Sequence, residues 1–143
     1  MNRDDIAALF AHRADLWARR DAAALAAHYA ETATAHSPMQ GRVEGRPRIQ
    51  EIYVSWFTSF PDLVHTSKAL LIDGDRVAQF FNIRGTQSAP FGGVPATGRR
   101  FDINGAMLYT MGPDGRFTHV DRVYDVTGML VQLGVLKGKP VET

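Results

Sequence analysis

The main change in the spacing of apolar residues along this chain is at Pro61, and that change limits the folds open to it. Before Pro61 the apolar residues recur at intervals of three, four and seven, which is typical of helices with one buried stripe. After Pro61 they alternate with polar residues, which is typical of half-buried strands. Helices first and strands afterwards predict an α+β fold, in which the helices cover one face of a curled sheet.

Turn and capping residues divide these two regions into elements. Asn2 and Asp21 are suited to cap the first two helices, and Asp73-Gly74 and Asp114-Gly115 are typical hairpin turns. The predicted elements are helices over residues 4–20 and 22–29, short strands over 32–38 and 42–44, a helix over 47–60, strands over 63–72, 76–86, 99–111 and 116–126, and a last helix over 129–133.

Length and composition predict one ordinary globular domain, spanning residues 1–143. A chain of 143 residues can bury one core but is too short for two, and its net charge of +1 argues against a nucleic-acid partner. The absence of cysteine excludes disulfides and thiolate chemistry. No segment approaches the roughly 18 apolar residues of a membrane span. We therefore expect a cytoplasmic protein without a membrane partner.

The last predicted strand carries the charge that matters most for function. Period two places Arg122 on one face and His119 and Asp121 on the other. A guanidinium stays charged at any working pH, so on an inward face it could hold a carboxylate or stabilise an enolate oxygen. His119 and Asp121 would then belong to the outer sheet surface or to a dimer contact.

A buried guanidinium needs an internal partner, because an unpaired buried charge is very costly. Asp102 and Asp125 are the candidates in this sequence, and a carboxylate paired with Arg122 could itself act as a base. His36 is a second candidate proton acceptor, since an imidazole suits proton transfer near neutral pH. The alternative for His36 is a histidine that only hydrogen-bonds across the two small strands.

Large apolar side chains supply the predicted wall of a cavity. The helix over residues 47–60 carries four aromatic side chains on one face, more than a small core usually requires. The predicted substrate-contacting set is Trp17, Tyr53, Trp56, Phe81, Met107 and Tyr109. The alternative is that these residues are ordinary core. His12, His28 and His65 lack the spacing of metal ligands, so no metal site is predicted.

Short motifs spread over nearly the whole chain carry a family resemblance. They are AHSP at 35–38 with Gly41 and Gly45, FPDL at 60–63, the loop over 85–99, and YDVTGMLVQLG at 124–134. In this order they resemble the SnoaL-like polyketide cyclase (ester cyclase) family of the nuclear-transport-factor-2-like superfamily. The resemblance implies a cone of helices wrapped by a curved antiparallel or mixed sheet, an apolar cavity at its open end, and a homodimer through the outer sheet face.

The resemblance also implies a reaction, and the chain departs from it at two positions. Such enzymes close a ring by intramolecular aldol condensation without cofactor or metal. They use a carboxylate three residues before the Asp that begins the final helix and a histidine on the preceding strand. Here those positions hold Arg122 and Met107.

Two functions therefore remain open. The first is a cofactor-independent enzyme acting on a small apolar carbonyl compound by proton abstraction that leads to cyclisation, isomerisation or hydration. Its catalytic candidates are Arg122, as oxyanion or carboxylate anchor, and Asp102 or His36, as proton acceptor. The second is a non-catalytic binding module that keeps the cavity and the dimer face but has lost the chemistry.

Overall fold

The computed structural model describes residues 1–138, in which helices pack against a curved mixed sheet that does not close. The helices are α1 (Arg3–Arg19), α2 (Ala22–Ala27), α3 (Arg46–Ser59) and α4 (Val126–Gln132). The strands are β1 (Tyr29–Ser37), β2 (Gly41–Glu44), β3 (Val64–Asp73), β4 (Arg76–Thr86), β5 (Arg100–Met111) and β6 (Phe117–Tyr124). Their order across the sheet is β2-β1-β6-β5-β4-β3, and all neighbours are antiparallel except β1 and β6. The predicted α+β class is confirmed.

The caps predicted from the sequence form as expected. The Asn2 side chain accepts the Asp5 N–H at 2.8 Å, and the Asp5 carboxylate accepts the Asn2 N–H at 3.2 Å, which makes a capping box at the start of α1. Asp21 accepts the Ala24 N–H at 3.0 Å at the start of α2. The second helix is shorter than predicted, because Tyr29 already belongs to β1 and its ring is fully buried.

The core lies between the helices and the concave face of the sheet. On β5 the odd-numbered residues Phe101, Ile103, Met107 and Tyr109 face inward and are buried. Gly105 continues this row, and a Cβ there would stand 2.6 Å from the Phe81 ring and 2.7 Å from a backbone oxygen of β6. Glycine at this position therefore lets Phe81 of β4 lie flat against the sheet.

An irregularity in β6 changes the alternation expected at its start. Thr110 pairs with His119 but Met111 pairs with Phe117, so β6 carries one extra residue in between. Strict alternation from His119 would place Phe117 on the outer face, but the extra residue turns Phe117 inward, where it is fully buried. Beyond this bulge the alternation is regular and turns Arg122 into the interior.

The outer face of the sheet exposes several large apolar side chains. Leu71, Phe80 and Val123 are 60%, 47% and 61% exposed. They stand on three different strands of the face through which a homodimer was expected, and that homodimer stays a prediction. Among residues 1–138, no helix is long and apolar enough to cross a membrane.

Candidate functional site

A small cavity lies between α1, α3 and the concave face of the sheet. Its lining residues are Trp17, Trp56, His65, Phe81, Ile83, Met107, Arg122 and Tyr124. Its volume is about 20 Å³, which is room for about one water molecule. Any larger occupant must therefore displace side chains.

The cavity gathers most, but not all, of the residues expected to contact substrate. Trp17, Trp56, Phe81 and Met107 line it together with Arg122. Tyr53 and Tyr109 are also fully buried but do not line this cavity. Arg122 links the two groups, since its Cζ atom lies 4.9 Å from the centroid of the Tyr53 ring.

Arg122 brings a full positive charge into this apolar space. It is only 4% exposed, and its Nε and Nη2 atoms have no hydrogen-bond partner among the described residues. Burial lowers the pKa of Arg122, but the phenol groups of Tyr53, Tyr29 and Tyr109 outweigh burial and hold that pKa above its ordinary value. The guanidinium is therefore charged at working pH, with two of its three nitrogen atoms unpaired among the described residues.

His65 forms a second polar position in the same cavity. Its imidazole is stacked between the rings of Trp17, at a centroid distance of 4.1 Å, and Phe81, at 4.9 Å. The Nε2 atom is buried and unpaired within residues 1–138. Burial, and then the charges of Arg13 and Arg122, lower the pKa of His65 to about 3. The ring is therefore neutral near pH 7.

Tyr124 completes the polar part of the lining. It lies two residues beyond Arg122 on the same face of β6. Its hydroxyl is buried and makes no hydrogen bond of good geometry in the described chain, although the Met39 backbone and the Ser37 side chain are near enough to lower its pKa. Burial raises the pKa of Tyr124 to about 12, although Arg122 opposes that shift. All the buried side-chain polar atoms left unpaired in residues 1–138 belong to His65, Arg122 and Tyr124, which line one cavity. Buried polar groups are otherwise almost always hydrogen-bonded, so these three mark a candidate binding site.

A second buried arginine, Arg13, lies behind the cavity, and neighbouring residues supply hydrogen-bond partners for both of its Nη atoms. Arg13 donates from Nη1 to the carbonyl of Leu25 at 2.9 Å and from Nη2 to the hydroxyl of Tyr53 at 2.8 Å. Its Nη1 also lies 2.8 Å from Nδ1 of His28, and the Tyr53 hydroxyl lies 2.9 Å from that of Tyr29. Arg13 is thus held by the fold itself.

Tyr53 stands between the two arginines and responds to both. Burial raises the pKa of Tyr53, but Arg13 and Arg122 outweigh burial, so the pKa lies below its ordinary value of 10.0. Burial raises the pKa of Tyr29 well above that value and the pKa of Tyr109 to about 12. Tyr53 is therefore the most acidic of these three phenols.

The structure does not bring His36 or Asp102 to the cavity, contrary to the expectation that one of them accepts a proton there. β1 buries Ala35 and Ser37, so the alternation of the strand turns His36 outward, where it is exposed. Asp102 is exposed on the outer face of β5 and accepts a hydrogen bond from Asn82 at 2.6 Å.

Nor does either of the expected acids lie beside Arg122 within the described residues. Asp125 accepts the Gly128 N–H at 2.8 Å and caps α4 instead of pairing with Arg122. No carboxylate lines the cavity, and no Asp or Glu in residues 1–138 is buried. Nor do residues 1–138 contain a group of three or more side chains suited to hold a metal.

Sequence reasoning missed His65 and Arg13, although each has a detectable signal. His65 lies two residues after the buried Leu63, so period two places it on the inner face of its strand. Arg13 lies three residues after Phe10 and four before Trp17, which is the spacing of the buried stripe of α1. In both cases periodicity applied to polar residues as well as apolar ones predicts the burial.

Comparison with known proteins agrees with this fold. The model of the family described as SnoaL-like polyketide cyclase matches residues 8–133. AclR from Streptomyces galilaeus is 24% identical, with a TM-score of 0.82, over 97% of this chain and 91% of AclR. TsrD from Streptomyces laurentii is also 24% identical, with a TM-score of 0.83, over 95% of this chain and 99% of TsrD.

A third solved structure is more similar in sequence. IdmH from Streptomyces antibioticus is 30% identical, with a TM-score of 0.62, over 75% of this chain and 82% of IdmH. Comparison with curated proteins gave no significant match.

Proposed function

Because the chain belongs to the SnoaL-like polyketide cyclase family, we propose that it is a cofactor-independent, cyclase-type enzyme whose active site is the cavity beside Arg122. Its substrate would be a small, largely apolar carbonyl compound. One observation carries the proposal: His65, Arg122 and Tyr124 each have polar atoms that find no partner within residues 1–138, and all three line the same buried, mostly apolar space. Those three groups are suited to proton abstraction next to a carbonyl.

Arg122 would bind the substrate oxygen that carries negative charge. Removing a proton next to a carbonyl creates an enolate, and a fixed positive charge stabilises such an anion far more in a dry site than the same charge would in water. The Tyr124 hydroxyl is a neutral donor near Arg122 and would hold the carbonyl oxygen before and after the charge develops.

His65 would accept the proton at Nε2. In the free protein it is a weak base, because burial, and then the charges of Arg13 and Arg122, lower its pKa to about 3. An anionic ligand beside Arg122 would offset that positive charge and raise the pKa of His65. The base would thus become effective when substrate is bound. This role replaces the one expected for His36 or Asp102.

A non-catalytic binding module is the second candidate, and two observations favour it. Among residues 1–138, no carboxylate lines the cavity to act as the base that the family resemblance implies, and the cavity volume of about 20 Å³ is small for a polyketide-type ligand. The two functions differ in one measurable respect: only the enzyme accelerates exchange of the proton next to a carbonyl.

Deuterium exchange followed by NMR tests the proposal. We expect the wild type to accelerate exchange of the acidic protons of small cyclic 1,3-diketones and β-keto esters in D₂O. Arg122→Met should lower that rate by roughly 100-fold, the effect of removing one oxyanion-stabilising group. Asp102→Asn, an exposed control, should match the wild type. A wild-type rate no higher than that of buffer, for every compound, would leave the binding module as the function.

A further inference from the structure

We propose that the ligand of this cavity carries a free carboxylate, which Arg122 binds through Nε and Nη2. The inference rests on the proposed function for the location of the site and adds the chemical class of the substrate. The carboxylate would be present before any reaction. The enolate formed later would be a separate group of the same molecule, close enough to Arg122 for its positive charge to stabilise that anion as well. An ester or amide of that acid would therefore bind about tenfold more weakly, and could still react at a higher concentration.

The positions of the unpaired atoms favour a carboxylate. Nε and Nη2 form one edge of the guanidinium, and their two N–H bonds run parallel to each other. Two parallel donors match the two oxygens of a carboxylate, which gives a bidentate, charge-assisted pair. In Arg122 both atoms are buried and without partners among the described residues. A single carbonyl oxygen could engage only part of this edge.

The charge balance of the interior points in the same direction. The buried charged residues of the described chain are Arg13 and Arg122, and none of them is acidic. Arg13 has hydrogen-bond acceptors in Leu25 and Tyr53, whereas Nε and Nη2 of Arg122 have no acceptor among the described residues. A carboxylate would supply one negative charge to the one guanidinium that faces the cavity. A phosphate would bring a larger charge than this single cation can match.

Two further polar groups would complete the site. The Tyr124 hydroxyl and His65 Nε2 are both buried, unpaired and part of the lining. Tyr124 can donate to the carboxylate or to a carbonyl beside it, and His65 is free to take the proton between them. A 3-oxo acid, in which one carbon separates the carboxylate from a ketone, has the groups that this arrangement would recognise.

The remaining walls require an apolar body. Trp17, Trp56, Phe81, Ile83 and Met107 offer no charged group to the ligand. The narrow volume means that acetate is the probe that demands least rearrangement, whereas branched or cyclic acids must move side chains. A series of acids of increasing size therefore measures how far the cavity opens.

Intrinsic fluorescence can report binding, since the chain has two tryptophans and both line the cavity. The probes are acetate, isobutyrate and cyclohexanecarboxylate, each compared at constant ionic strength with its neutral amide. We expect at least one acid to bind with a dissociation constant about tenfold lower than that of its amide, which is the effect of a charge-assisted pair.

Two substitutions of the same kind separate the site from general charge effects. Arg122→Met should abolish the preference for acid over amide, while Arg116→Met, at an exposed position, should keep it. Near-ultraviolet circular dichroism checks that each variant is folded. Arg122→Lys, which keeps the charge but not the two parallel donors, provides a second test if Arg122→Met is unfolded, and it should weaken acid binding about tenfold.

The outcomes distinguish the two proposals. Equal binding of acids and amides by the wild type, or an acid preference that survives in Arg122→Met, would overturn the carboxylate inference. The proposed function would still stand if proton exchange depended on Arg122. Loss of the exchange activity with a retained, Arg122-dependent acid preference would instead leave a carboxylate-binding module.

Discussion

Arg13 and Arg122 are both buried, both charged and both near Tyr53, yet they differ in what surrounds their donors. Arg13 donates to Leu25 and to Tyr53 and lies beside His28. Arg122 lies over the ring of Tyr53 and leaves Nε and Nη2 unpaired. A buried charge whose hydrogen bonds are completed by the fold contributes to the fold. A buried charge whose hydrogen bonds are incomplete lowers the stability of the fold. Such a cost is expected where a ligand supplies the missing partner.

The same difference separates the two parts of the interior. Behind the cavity, the hydroxyls of Tyr53 and Tyr29 bond to each other and to Arg13. Within the cavity, the hydroxyl of Tyr124 and the imidazole of His65 have no partner in the described residues. The residues behind the cavity therefore form a structural hydrogen-bond network. The cavity instead has the features of a binding site for a ligand with polar groups.

Replacing Arg13 should cause the largest loss of stability. Arg13→Met leaves the carbonyl of Leu25 and the hydroxyl of Tyr53 without their donor, so we expect the free energy of unfolding to fall by about 3–5 kcal/mol. Denaturant unfolding at neutral pH measures this. Arg19→Met is the matched control, because Arg19 is on the same helix but exposed, and it should change stability by less than about 1 kcal/mol. A loss of less than about 1 kcal/mol in Arg13→Met would contradict the claim that the hydrogen bonds of Arg13 stabilise the fold.

His65 should make the protein sensitive to mild acid. Its pKa is lowered from 6.5 to about 3 on folding, so the unfolded chain takes up the proton first as pH falls. Stability is therefore lost as the pH falls from about 6.5 towards 3. We expect His65→Phe, which keeps an aromatic ring in the stack, to lose about 2 kcal/mol less than the wild type between pH 6.5 and 4.5.

Denaturant unfolding across this pH range checks the prediction for His65. His36→Gln provides the control, since His36 is exposed, and its profile should follow that of the wild type. Parallel profiles for His65→Phe and the wild type would contradict the burial of a neutral imidazole at this position.

A spectroscopic titration of the tyrosines tests the effect of both arginines on Tyr53, which lies close to each of them. The chain has four tyrosines, and only Tyr53 has a pKa below the ordinary value. Burial raises the pKa values of Tyr29, Tyr109 and Tyr124. Ultraviolet absorbance of tyrosinate should therefore show one phenol ionising below pH 10, and Tyr53→Phe should remove that step. If the early step persists in Tyr53→Phe, another phenol is the acidic one.

Much of the fold could be predicted from the sequence, because it follows from local periodicity and capping. The change of period at Pro61, the caps at Asn2 and Asp21, and the inward face of Arg122 all depend on short-range patterns. The bulge that buries Phe117 could not be predicted this way, since it arises from the pairing of two strands.

The site was less predictable, because it depends on contacts between distant elements. His36 and Asp102 have side chains suited to accept a proton, but strand alternation turns both outward. His65 enters the site through its stack with Trp17, a residue on another element and far away in sequence. The absence of an acid beside Arg122 likewise becomes visible only when the surrounding side chains are placed in space.

The central claim is that the unpaired donors of Arg122 bind a ligand, whereas the hydrogen bonds of Arg13 stabilise the fold. The most direct test is the free energy of unfolding of Arg122→Met, measured without ligand at neutral pH. We predict a gain, or a change of less than about 1 kcal/mol, because an apolar side chain would replace a buried charge with unpaired donors. A loss of about 3 kcal/mol or more, as expected for Arg13→Met, would show that Arg122 is instead part of the structural network.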